Sequence, residues 1–65
     1  MTTYTVQGHL PRDRGWDTIK TEDPQEAVEH AKHTCEPIAV YIDGIEVMTD
    51  RTTAQAVDAI REWSA

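Results

Sequence analysis

Four side chains in the sequence have the chemistry to hold a soft metal ion: His9, His30, His33 and Cys35. Zinc takes four nitrogen or sulfur donors in a tetrahedron. The spacing His30-x-x-His33-x-Cys35 brings three of them close together, with His9 as a candidate fourth. The local pattern points elsewhere. A helix through this stretch sets Cys35 on the stripe of Ala27, Val28 and Ala31 and turns His30 and His33 away from it. The expectation is a buried cysteine and two solvated histidines, with no metal or other cofactor. The thiol is also badly placed as a nucleophile. Cations or a helix N-terminus favour a thiolate, whereas Cys35 lies beside Glu36 near a helix C-terminus. Glu26–His30 and Glu29–His33, each i,i+4, begin a general-base arrangement, but no nucleophile or oxyanion donor completes it. No catalytic residue is assigned, and the chain is not expected to be an enzyme.

Binding chemistry is better represented. Twelve acidic residues face six basic ones, for a formal charge of −6. Direct contact with a nucleic-acid backbone depends on Lys and Arg neutralising phosphates, so this balance argues against it. The charge is uneven: residues 1–20 carry Arg12, Arg14 and Lys20 against Asp13 and Asp17, and most acids follow later. Glu22, Asp23, Glu26 and Glu29, with Glu46 and Asp50, form a candidate acidic surface for a basic partner, since electrostatic complementarity steers association. Its plain counterpart is a surface that only keeps the protein soluble. Arg12 and Arg14 flank Asp13 in a loop and suit a carboxylate or phosphate, or a soluble turn.

The elements that position these groups read clearly in places. Thr3 to His9 alternates as a strand, Pro11 to Gly15 is a loop, and Trp16 to Thr21 returns as a second strand. Asp23-Pro24-Gln25-Glu26 supplies an N-cap, a proline at the first helical position and a capping-box glutamate, and predicts a helix over 24–34. Ile38 to Met48 reads as a hairpin around Asp43-Gly44, a favoured type I′ pair. A two-residue turn sets Ile42 opposite Ile45, Val40 opposite Val47 and Ile38 opposite Thr49. This register buries an aliphatic face and leaves Ala39, Tyr41, Glu46 and Met48 on the other. Thr52-Thr53-Ala54-Gln55 begins a last helix over 53–63, with Thr53, Ala56, Val57, Ile60 and Trp63 on one face and Gln55, Asp58 and Glu62 opposite.

The order ββαββα predicts an α+β domain spanning residues 1–65, a four-stranded antiparallel sheet with both helices on one face. Trp16, Tyr41 and Met48 would then mark an open sheet face able to meet a partner or a second copy, since aromatics and Met are enriched at interfaces. A chain of this size buries only about 60% of its unfolded surface, and with one cysteine it has no internal disulfide. MTTYTVQGHL has no basic region followed by an apolar run, and no stretch has the length of an apolar membrane span. A cytoplasmic location is expected.

In size and acidity, with Glu22, Asp23, Glu26, Glu29, Asp43, Glu46 and Asp50 on a compact ββαββα frame, the chain resembles the small inhibitor proteins of phages and other mobile elements, anti-CRISPR proteins among them. The resemblance implies a non-enzymatic binding protein that occupies a basic surface of a nucleic-acid-handling complex. Two other readings stand beside it: a homodimeric accessory module paired through the open sheet face, and a small zinc-binding domain using His30, His33 and Cys35.

Overall fold

A computed structural model describes all 65 residues. The elements are β1 (Tyr4–His9), β2 (Trp16–Thr21), α1 (Pro24–His33), β3 (Cys35–Ile42), β4 (Ile45–Arg51) and α2 (Thr53–Ser64). The strands form one antiparallel sheet in the order β2-β1-β3-β4. Each hairpin thus contributes one central and one edge strand. The predicted α+β architecture, ββαββα, is the one observed. No helix is long and apolar enough to cross a membrane.

Both helices pack on the same side of the sheet. Tyr4 and Val6 of β1 and Ile38, Val40 and Ile42 of β3 form one buried cluster with Ala27, Val28 and Ala31 of α1 and Ala56, Val57 and Ile60 of α2. Two-residue periodicity in the strands meets the helical stripe in each helix, so every element has an apolar side facing one layer. The turn between β3 and β4 matches its sequence: Asp43 and Gly44 both take positive φ, at 53° and 81°, as a type I′ turn requires. Asp43 also ties the hairpin to the chain start, since its carboxylate accepts from Thr3 N–H at 2.9 Å and its own N–H donates to Thr3 O at 2.8 Å.

The caps explain where the helices begin. Asp23 accepts from Gln25 N–H at 3.0 Å. Its own N–H is taken by the Thr21 hydroxyl at 3.0 Å, so the expected return bond from Glu26 is not made. The predicted box at α2 is complete: Thr52 Oγ1 accepts from Gln55 N–H, and Gln55 Oε1 accepts from Thr52 N–H at 3.1 Å. Glu36 adds a further cap, its carboxylate accepting from Thr53 N–H at 2.6 Å.

Three expectations are corrected. Thr34 turns extended (ψ 163°) and ends α1 at His33, so Cys35 leaves the helical stripe, opens β3 and is exposed. The hairpin keeps its register only at Ile42–Ile45 and Tyr41–Glu46; beyond that Val40 pairs with Met48 and Ile38 with Arg51. Two irregularities in β4, the second beside Asp50 at φ 54°, absorb the extra residues. They move Met48 to the core side, where it packs with Val47 and Ile19 against the cluster. At the tips of their elements, Ile45 is 68% and Trp63 55% exposed, beyond the cover of the opposite layer.

One close approach fixes how α1 sits on the sheet. A methyl group at Gly8 would lie 2.2 Å from Thr34 Oγ1 and 2.3 Å from Thr34 Cγ2. Thr34 is itself buried, and its hydroxyl donates to His9 O at 3.4 Å. Glycine in a strand interior usually weakens it, so alanine would stabilise this position if α1 were free to lift. Gly8→Ala is expected instead to lower stability by about 1–3 kcal/mol, measured by urea unfolding, with part regained by Thr34→Ala in the same chain. An unchanged or raised midpoint would show that the helix end is not held here.

Candidate functional site

The carboxylates divide by what already holds them. Asp23 caps α1, Glu36 caps α2 and Asp43 bonds Thr3. Asp17 lies under His30, and Glu29 accepts from the Gln25 amide at 3.0 Å with His33 Nε2 at 3.7 Å. Both ion pairs in the molecule therefore use histidine, and no lysine or arginine pairs with a carboxylate. Glu22, Glu26, Asp58 and Glu62 are exposed and have no hydrogen-bond or ion-pair partner of their own. Glu26 and Asp58 rise from α1 and α2, which lie side by side on the sheet, with Glu22 at the entry to α1 and Glu62 in the last turns of α2. Thr21 keeps Glu26 free by taking the Asp23 N–H that a capping-box glutamate would bond.

Glu46 and Asp50 are equally exposed but stand apart. They are on β4, the edge farthest from β2 and the start of α1. The six acids grouped by sequence thus fall into two sets on opposite edges, and Asp23 within them is committed to its helix. Asp58 and Glu62 are on α2, which lies beside α1 and also packs on β3 and β4. Their position opposite the α2 stripe was legible, but the adjacency of the two helices was not.

The soft ligands do not converge. No group of three or more His, Cys, Asp or Glu side chains has metal-binding geometry. His33 is exposed beside Glu29, and Cys35 begins β3 opposite His9. His30 is not solvated as its wheel position suggested: Nε2 lies 3.0 Å from the Asp17 carbonyl and 3.7 Å from its carboxylate. A carbonyl only accepts, so this nitrogen carries the proton. His30 is consequently a clamp between α1 and β2, not a partner of Glu26.

On the open sheet face, Trp16 is 64% exposed and stacks on His9 with ring centroids 4.6 Å apart. Tyr41 shares this face but lies two strands away, level with Thr5 and Lys20 at the other end of the sheet. With Met48 turned inward, the predicted patch of Trp16, Tyr41 and Met48 is not assembled. The loop between β1 and β2 forms a shallow depression lined by Leu10, Pro11, Arg12 and Arg14. Arg12 and Asp13 both take the left-handed region, at φ 62° and 55°.

No protein-family model, curated protein or solved structure matches the chain.

Two measurements check this assignment of side chains. Glu36→Ala is expected to cost about 1 kcal/mol of stability through loss of the α2 cap, whereas Glu26→Ala and Glu46→Ala stay within about 0.5 kcal/mol; equal losses at all three would undo the division into held and free carboxylates. Cys35 is expected to react fully with a thiol reagent in the folded protein. A thiol that reacts only after denaturation would place it inside.

Proposed function

We propose that the chain is a non-enzymatic binding protein whose helical layer presents Glu22, Glu26, Asp58 and Glu62 to a cationic surface of a protein partner. The observation that carries this reading is that these carboxylates are exposed and unpaired, three of them mounted on two helices pinned to one sheet face and Glu22 at the entry to α1. Packed helices fix the backbone spacing of these side chains before binding, so only side-chain ordering remains to be met and complementarity is expressed in both on-rate and register. A row of carboxylates also offers a basic groove what a phosphate backbone offers it. The specific form we favour is an inhibitor that occupies the basic nucleic-acid-binding surface of a host complex, as phage and mobile-element inhibitors such as anti-CRISPR proteins do. The acids of β4 have no part in it.

The test is displacement of a labelled DNA duplex from an arginine-rich peptide by the purified protein. Displacement should weaken as salt rises. Reversing Glu26 and Asp58 together to Lys should raise the concentration needed by about tenfold, while reversing Glu46 and Asp50 should change it far less. Equal effects from the two pairs would leave only bulk acidity and remove the helical surface as a site.

A further inference from the structure

The two edges of the sheet are built differently. β4 is interrupted by two register irregularities, with Asp50 in the left-handed region inside the second. Such bulges, with edge charges, keep a strand from pairing further. β2 has no bulge: its ladder with β1 runs without a slip from Tyr4–Thr21 to His9–Trp16. It contains no proline, and its charges are limited to Asp17, which meets His30 of α1, and Lys20.

The hydrogen-bond phase of β2 follows from two bonds outside the strands. Leu10 N–H donates to Gly15 O at 2.9 Å, and Asp43 N–H donates to Thr3 O at 2.8 Å. Bonded pairs alternate along an antiparallel ladder. Both bonds therefore assign Tyr4, Val6 and Gly8 to β2, and Thr5 and Gln7 to β3. Within β2, Asp17, Ile19 and Thr21 bond inward to β1, and Trp16, Thr18 and Lys20 point their backbone N–H and C=O groups outward.

We propose that the chain forms a symmetric dimer in which β2 pairs antiparallel with β2 of a second copy about a two-fold axis at Thr18, giving one continuous sheet. The argument is self-complementarity. With Thr18 opposite itself, Trp16 lies opposite Lys20 of the second copy, and all the outward backbone groups of Trp16, Thr18 and Lys20 meet partners. Lys20 and Trp16 then share the open face at cross-strand distance, suited to a cation–π contact. Just beyond the strand ends, Arg14 faces Glu22 of the second copy, twice by symmetry. Neighbouring registers lose this match. A shift of two residues one way sets Arg14 against Lys20, and the other way sets Trp16 against Glu22; each leaves outward groups unpaired. The basic start and acidic end of this hairpin strand, a sequence feature with no role inside the monomer, thereby select one partner and one register. This edge is distinct from the open-face pairing expected from sequence. It shares Glu22 with the proposed helical surface but not Glu26 or Asp58, so Thr18→Pro and Arg14→Glu test the edge alone, and the reversal of Glu26 and Asp58 tests the helices alone.

Sedimentation velocity over a concentration series is the test. The wild-type chain should pass from monomer to dimer as concentration rises. Thr18→Pro removes an outward N–H while leaving the bonds to β1, as prolines on edge strands do, and should abolish the dimer. Arg14→Glu and Glu22→Arg should each weaken it by about tenfold, and the double exchange should restore it whether or not the proline variant folds. Amide exchange should show Trp16, Thr18 and Lys20 gaining protection with concentration. A wild-type chain still monomeric at millimolar concentration overturns the proposal, as does a dimer indifferent to the three single substitutions.

Discussion

Pairing of β1 with β3 is the constraint on which the molecule depends, because it is the only ladder that joins the two hairpins. It sets Tyr4 beside Ile42 and Val6 beside Val40, and these four side chains are the floor on which both helices rest. Without it each hairpin would carry one helix over a surface too small to exclude water, and two-stranded units of this kind are marginal alone. The helix positions follow from the same ladder. α1 comes down on β1 where Gly8 leaves room for Thr34, and α2 starts where Glu36, the second residue of β3, holds Thr53.

The surfaces are consequences of that frame. Making β1 and β3 central leaves β2 and β4 as edges, one regular and one bulged, and it places the helices together so that their outer sides form a single layer. Charge is distributed accordingly. Asp23, Glu36 and Asp43 are held by backbone N–H groups at helix starts and a chain crossing, whereas on the helices Glu29 is held by side chains and Glu26, Asp58 and Glu62 are free. Acidity in this protein is therefore partly structural. Asp23, Glu36 and Asp43 contribute to the net charge of −6 but are committed to internal hydrogen bonds.

Local signals carried most of the fold. Asp43-Gly44 and the Thr52–Gln55 box declare themselves because each depends on a few adjacent residues, and the order of elements follows from periodicity. The candidate site was less legible, for reasons that are not local. Cys35 fits the helical stripe by spacing, yet the chain turns extended one residue earlier, where Thr34 meets Gly8. The register of β4 followed from the turn until its irregularities brought Met48 as well as Val47 against the core, and nothing in Thr49-Asp50 announces a positive φ. That Glu46 and Asp50 lie on the edge farthest from the start of α1 was not legible, because strand order is a tertiary property. The side-by-side placement that links Asp58 and Glu62 to Glu26 is another.

Native-state hydrogen exchange tests the primacy of the central ladder directly. The amides of Thr5, Gln7, Ala39 and Tyr41, which lie on the β1–β3 seam, should be the slowest to exchange and should open only with global unfolding. Amides of β4 and of the last turn of α2 should exchange through smaller openings. Slowest exchange confined to the β3–β4 hairpin and α2, with Thr5 and Gln7 opening freely, would contradict the account, since the second half of the chain would then be stable without the first.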